Sequence, residues 1–254
     1  MFKVKATVTG FGKDESKGPC HFRYKVGDEV VFDGETVSGR VCPNMIVPFS
    51  QAFMALFASG GRHKEGEAPG SYYPFWHSPQ SLYDPEKKKY DGVGFRPTLE
   101  RPEEGYKFVA DETLFDNPPG GKYIIGKGKE KQTISLQCGD SHTFAQFKVE
   151  AFDLADRGDA LPYYRRSMTI LDKIIKKPGI AMDKIIDEYT AKERDNIYPS
   201  LGQKIVAILV GELELMDYVG VKDNMVTATV KGKKKLEDFK ISLTTEELKA
   251  LKLH

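Results

Sequence analysis

The side chains best suited to chemistry in this sequence are its three cysteines and five histidines. Cys20 and Cys42 flank a predicted β-hairpin, so they could approach each other, and His63 and His77 follow in the next loop. Thiolate and imidazole groups together bind zinc or iron, and an imidazolium beside a thiol makes that thiol a better nucleophile. The sequence therefore predicts Cys20, Cys42 and His63 as metal ligands, and Cys20, Cys42 and His77 as catalytic residues.

The structural alternative is that these cysteines are ordinary buried thiols. No C-x-x-C motif occurs, and His21, directly beside Cys20, is poorly placed to ligate the same ion. Free cysteine is among the most buried residue types even where it has no chemical role. Spacing alone leaves both interpretations open.

Two further segments combine reactive or ligand-binding side chains. Residues 138–142, Cys-Gly-Asp-Ser-His, put a thiol, a carboxylate and an imidazole in one predicted turn, which could join Cys20 or Cys42 in binding a metal. Residues 72–77, Tyr-Tyr-Pro-Phe-Trp-His, could wall a ligand pocket, with His77 as its acid or base. The structural alternatives are a solvated turn and a loop held on the core by its own aromatic rings.

Composition and motif content exclude several common classes of protein. The chain has 254 residues with 38 Lys and Arg against 37 Asp and Glu, so its charge offers no general attraction to nucleic acid or an anionic membrane. The motifs of common nucleotide, zinc-protease and serine-hydrolase sites are missing. An odd number of cysteines, no apolar run of about 18–20 residues and no signal peptide predict a cytoplasmic protein without membrane association.

The elements that must position these side chains change in type along the chain. Alternating apolar and polar residues predict a strand over 2–9, and Asp33-Gly34 between two extended runs predicts a hairpin. Apolar residues at helical spacing predict one helix over 48–58. Residues 1–150 are therefore predicted to be a β-rich domain that binds a small molecule or a metal. Further extended segments are predicted at 93–95, 106–109, 122–125, 133–137 and 144–149.

Residues 160–254 are predicted to form a mainly helical domain. Three helices, predicted at 163–177, 181–189 and 200–218, precede a two-stranded ribbon and a charged helix. The ribbon is predicted to turn at Asp223-Asn224, and Thr244-Thr245-Glu246-Glu247 predicts the start of a last short helix. This order, and the Lys231-Gly232 that leads from the ribbon into a basic helix, resemble a winged-helix domain. Such domains bind DNA in some proteins and mediate dimerisation in others. The predicted fold class is α+β, a β-rich N-terminal domain with one main helix followed by this winged-helix-like domain.

The N-terminal third also carries an ordered pattern of cysteines and glycines. Its members are Gly18-Pro19-Cys20, Lys25-Val26-Gly27-Asp28-Glu29, Gly39, Cys42-Pro43, Ala55-Leu56 and Gly60-Gly61. The pattern, which spans about residues 1–102, resembles an uncharacterised cysteine-containing domain family of anaerobic bacteria and archaea. This chain departs from the short members by its long segment between Arg62 and Tyr90. The resemblance implies no activity, but it makes Cys20 and Cys42 the positions to examine first.

Two functions from different classes fit these observations. The first is an enzyme or enzyme subunit of small-molecule, anaerobic metabolism, with a Cys/His-lined pocket, zinc or iron as candidate cofactor, and homo-oligomerisation through the C-terminal domain. The second is a ligand- or redox-responsive winged-helix transcription regulator that binds DNA. Residues 151–254 carry 18 basic and 17 acidic side chains, which is a weak charge excess for DNA binding and favours the first. Arg165-Arg166 and the basic run 231–235 are predicted to be solvated faces.

Overall fold

The computed structural model describes residues 1–14, 16–60, 133–140, 143–195, 197 and 199–253. These residues belong to two compact units, one from residues 1–60 and 133–155 and the other from residues 156–253. The first is a sheet with one helix and the second is mainly helical, so the chain is a mixed α/β protein, as predicted. The strands predicted at 93–95, 106–109 and 122–125 lie outside the described residues.

An antiparallel sheet of five strands forms the first unit, in the order β3-β2-β1-β5-β4. The strands are β1 (Phe2–Phe11), β2 (Glu29–Phe32), β3 (Val37–Gly39), β4 (Ile134–Gln137) and β5 (Ala145–Leu154). Alternate residues of β1 are buried, beginning with Phe2 and Val4, as its period of two predicted. The long central pair, β1 with β5, joins segments at opposite ends of this unit's sequence.

The hairpin between β2 and β3 differs in detail from the prediction. Asp33-Gly34 is not a two-residue turn, because Val37 pairs with Phe32 and a four-residue loop separates them. The Asp33 carboxylate accepts hydrogen bonds from the backbone N–H of Glu35 and of Thr36, at 3.0 and 2.8 Å. Asp side chains commonly accept hydrogen bonds from backbone N–H groups two or three residues ahead, and here these bonds stabilise the wider loop.

One helix, α1 (Ile46–Ser59), covers a face of this sheet, and the helix predicted here is confirmed. It follows a 3-10 turn over Pro43–Met45, directly after Cys42. Phe49 stacks on Phe53 with ring centroids 5.4 Å apart and meets the ring of Phe147 in β5 edge to face at 5.0 Å. Each such buried aromatic side chain contributes about 1.5–3 kcal/mol, which fixes α1 on the sheet.

The second unit combines five helices with a small antiparallel sheet of order β6-β8-β7. The helices are α2 (Leu161–Lys176), α3 (Ala191–Asp195), α4 (Gln203–Leu215), α5 (Val230–Ser242) and α6 (Thr245–Leu251), and the strands are β6 (Ile180–Ala181), β7 (Val219–Lys222) and β8 (Met225–Ala228). The helix predicted over 181–189 is instead a 3-10 helix, Met182–Glu188. Periodicity also missed β6 and α3, which are too short to show a period.

Local signals at the ends of these elements were accurate. Asp223 and Asn224 form the predicted turn between β7 and β8, both with positive φ, 50° and 64°. Thr244 begins α6 in a reciprocal capping box with Glu247, as the sequence indicated. In the described ranges, no helix has both the length and the apolar character that crossing a bilayer requires.

Arg166 in α2 contradicts the prediction of a solvated basic face. Its side chain is fully buried, with 0% of its surface exposed. The guanidinium donates to the backbone carbonyls of Pro199, Glu193 and Arg194 at 2.8, 2.9 and 3.0 Å, and also to that of Ile197. It therefore holds the irregular segment between α3 and α4 in place.

Candidate functional site

Tyr24 is the central side chain of the candidate site in the first unit. Its hydroxyl donates to the carbonyl of Arg40 at 2.8 Å and accepts from the backbone N–H of Cys42 at 2.9 Å. Its ring lies 4.8 Å from that of Phe22 and contacts the edge of Phe147 at 5.4 Å. The buried phenol therefore ties the loop after β1, which carries Cys20, to the loop that carries Cys42.

Arg40 makes a second connection between the same two loops. Its guanidinium lies over the ring of Phe22, 4.6 Å from the centroid, and it also donates a hydrogen bond to the carbonyl of Phe22. Cation–π contact and a charged hydrogen bond on one side chain resist separation of the loops more than either would alone.

The two cysteines on these loops differ in access to solvent. Cys20 is 8% exposed, and its carbonyl accepts a hydrogen bond from the N–H of Arg23 at 2.8 Å. Cys42 is half-buried and immediately precedes the 3-10 turn that leads into α1. Both are free thiols, and Cys42 is the one that a dissolved molecule can reach.

Cys138 is the third cysteine of the chain, and negative charge on Cys42 or Cys20 raises the pKa of its thiol. It follows β4, where its N–H donates to the carbonyl of Ala145 at 2.8 Å, and its side chain is buried, with 7% exposed. Its sulfur accepts a hydrogen bond from the N–H of Asp140 at 3.4 Å. We call Cys20, Cys42 and Cys138 the thiol cluster.

Electrostatic coupling links the thiol cluster to Tyr24. Burial raises the pKa of Tyr24, and negative charge on Cys42 or Cys20 raises it further, against the opposing effects of the Cys42 N–H and of Arg40. Burial also raises the pKa of Cys138, with further increases from Cys42, Asp140 and Cys20. The phenol and the Cys138 thiol are therefore both held in their neutral forms at neutral pH.

The sequence-predicted site residues fall into two groups. Cys20 and Cys42 are brought to one neighbourhood, and the adjacent His21 is exposed. His63, His77, the aromatic segment 72–77 and His142 lie outside the described residues. Within the part of the chain that is described, no three His, Cys, Asp or Glu side chains are arranged to hold a metal ion. The Cys20–Cys42–His63 site thus stays a prediction.

Sequence reasoning missed Tyr24 and gave Cys138 only a secondary place. Neither residue lies at a recognisable spacing from Cys20 and Cys42, and no motif joins them. The one signal available was the resemblance, which pairs Cys20 with Cys42 across a segment that contains Tyr24. Cys138 follows β4, which pairs with β5. It belongs to the cluster because β5 in turn pairs with β1.

We compared the chain with protein-family models, curated protein sequences and solved structures, and none of them matched.

Proposed function

We propose that the chain is an enzyme, or a subunit of one, that acts on a small molecule at the thiol cluster. The observation that carries this proposal is that the buried Tyr24 fastens the loops of Cys20 and Cys42, and that the charges of these two cysteines raise the pKa of Cys138 as well as that of Tyr24. Burial by itself explains any single cysteine, since the side chain packs like a small apolar group. Three at one place favour a chemical role, such as binding a soft metal ion or attacking an electrophilic substrate.

Within this proposal the residues have separate roles. Cys42 is the thiol that meets the substrate or a zinc or iron ion, because it alone among the three is not fully buried. Cys20 lies on the loop that Tyr24 and Arg40 fasten to it, and Tyr24 fixes the backbone of Cys42. A metal ion here requires ligands from beyond the described residues, for which the sequence predicts His63, while His77 stays the predicted acid or base. The free thiols also favour a reducing compartment, so we place the protein in the cytoplasm.

Cys42→Ser tests this proposal directly. In anaerobically purified wild-type protein we expect bound zinc or iron, or a ligand from a metabolite panel that raises the melting temperature. A ligand at about a hundred times its Kd adds about 2.7 kcal/mol of stability. Cys42→Ser and Cys20→Ser should abolish that binding, whereas His21→Ala, which changes an exposed neighbour, should retain it. If both cysteine variants kept the metal content of the wild type and the same rise in melting temperature with ligand, the thiol cluster would be ruled out as the site.

We further infer that the second unit is a winged-helix-like module used for association. The order of its elements and the pairing of β6 with β8 support this assignment. That order is α2, β6, α3, α4, β7, β8 and α5. In such a module α4 would be the helix that reads bases, but it is buried on nearly every side. Its buried apolar residues are Ile205, Val206, Ile208, Leu209, Val210, Leu213 and Leu215.

The basic run at the start of α5 is partly engaged within the unit. The Lys231 ammonium donates to the carbonyl of Met216 at 2.7 Å and lies over the ring of Tyr218. Lys235 lies over the rings of Tyr164 and Tyr218, at 5.5 and 5.6 Å. Lysines held in this way are less available to phosphates, which favours association over DNA binding.

For the alternative, a DNA-binding regulator, we expect a negative result. Full-length protein should give no shifted complex with random-sequence duplex DNA at low salt, because α4 is buried and residues 151–254 carry nearly equal numbers of basic and acidic side chains. The measurement is a gel-shift titration repeated at increasing salt. A complex that forms at low salt and weakens steeply as salt is added would favour the regulator instead.

A further inference from the structure

Two side chains, Tyr24 and Arg40, fasten the loop that carries Cys20 to the loop that carries Cys42. The Tyr24 hydroxyl bridges the carbonyl of Arg40 and the N–H of Cys42, while Tyr24 itself lies four residues after Cys20. Arg40 fastens the same loops through the carbonyl and the ring of Phe22. Cys20 and Cys42 are therefore carried by one clamped assembly.

Solvent access separates the three thiols into one that meets a dissolved oxidant and two that do not. Cys42 is half-buried, whereas Cys20 is 8% and Cys138 is 7% exposed. A small oxidant consequently encounters Cys42 before the two buried thiols of the cluster.

Cys138 is the less suitable of the two buried neighbours. Its sulfur already accepts the N–H of Asp140 at 3.4 Å, and its backbone is held in the β4–β5 hairpin through the carbonyl of Ala145. Cys20 lies on an irregular loop, which can adjust more easily to form a new bond.

We propose that Cys42 is a site of reversible oxidation by hydroperoxides and that Cys20 completes a disulfide with it. This inference rests on the thiol cluster of the proposed function and adds a modification that the enzyme proposal does not require. The Cys42 sulfur attacks one peroxide oxygen, the O–O bond breaks, and water or an alcohol leaves with the thiol proton. The product is a sulfenic acid. The Cys20 sulfur then attacks the Cys42 sulfur, the S–O bond breaks and water leaves, so two thiols are oxidised while one peroxide is reduced.

Peptide mapping of the peroxide-treated full-length chain tests the proposal. Reduced protein is treated with stoichiometric hydrogen peroxide, quenched and digested without reductant. We expect a Cys20–Cys42 cross-linked peptide that dithiothreitol reverses. Cys20→Ser should accumulate a sulfenic acid on Cys42, trapped by dimedone, and Cys42→Ser should form no cross-link. If Cys20→Ser does not fold, judged by circular dichroism, Cys20→Ala replaces it, because alanine brings no hydroxyl into a buried position.

Cys138→Ser is the matched control, since it removes the third thiol of the same cluster. It should form the Cys20–Cys42 disulfide at a rate within about twofold of wild type. A main product that joins Cys42 to Cys138, or a chain that peroxide leaves unoxidised at Cys42, overturns the inference. If the protein binds a metal or ligand through Cys42 but forms no disulfide, this inference alone is wrong. If it forms the disulfide but binds neither, only the enzyme proposal is wrong.

Discussion

Arg166→Met is expected to lower the free energy of unfolding by about 3–5 kcal/mol, because several carbonyls lose their hydrogen-bond donor at about 1–3 kcal/mol for each buried one. Arg166 is completely buried, and its guanidinium serves four backbone carbonyls between Glu193 and Pro199. Methionine fills a similar volume but donates no hydrogen bond. The carbonyls of Pro199 and Glu193 would lose this donor at buried contacts, and each such loss costs about 1–3 kcal/mol when uncompensated.

The charge of Arg166 is retained despite its burial. Burial lowers its pKa to about 10, while Tyr189, Glu193 and Asp195 oppose this decrease. The group is therefore still protonated at neutral pH. Arg166→Lys keeps the charge but not the planar arrangement of donors, so it should recover only part of the lost stability.

Arg165→Met is the matched control, at the adjacent position of the same helix. Arg165 pairs with Glu247 at 2.6 Å, but the two side chains are 22% and 35% exposed, and such pairs contribute about 0–1 kcal/mol. Urea denaturation followed by far-ultraviolet circular dichroism measures both variants. Equal losses in the two would show that the carbonyl contacts of Arg166 are not what stabilises this unit.

Gly232→Ala should produce the second-largest effect, a loss on the order of 1–3 kcal/mol or more, as in overpacked cores. A Cβ at Gly232 would lie 2.0 Å from the carbonyl oxygen of Tyr218 and 2.9 Å from its carbonyl carbon. That carbonyl cannot easily move, because it accepts the N–H of Thr229 at 3.0 Å. In an unobstructed helix the same substitution would instead be stabilising by about 1 kcal/mol. A loss of stability would therefore indicate the clash with the Tyr218 carbonyl, and a gain would contradict it.

Gly220→Ala, in β7, is the control for Gly232→Ala, since a Cβ there meets no atom within 4 Å. Thermal unfolding of the two variants should differ by several degrees, with Gly220→Ala close to wild type. A Gly232→Ala protein that melts at or above the wild-type temperature would mean that α5 can shift away from β7 without cost.

These two residues show where prediction from sequence stops. Arg165 and Arg166 are identical in type and adjacent, yet the side chain of Arg165 is 22% exposed and that of Arg166 is fully buried, because consecutive helical positions point about 100° apart. Nothing in the local sequence states which of them faces the segment between α3 and α4. The Lys231-Gly232 pair was recognised as part of a pattern, but its physical reason, the approach of α5 to the carbonyl of Tyr218, required the packed structure.

The sequence by itself determined the features that depend on near neighbours: the alternation of β1, the apolar stripe of α1, the Asp223-Asn224 turn and the Thr244 cap. Each depends on contacts or backbone preferences within a few residues, so the local residue types and their hydrophobic period are enough to predict it. Only the tertiary structure decided that β1 pairs with β5, that Tyr24 joins two loops, and that Cys20 and Cys42 influence the pKa of Cys138. Those contacts join residues distant in the chain, and many different pairings of the same strands would satisfy the same local pattern.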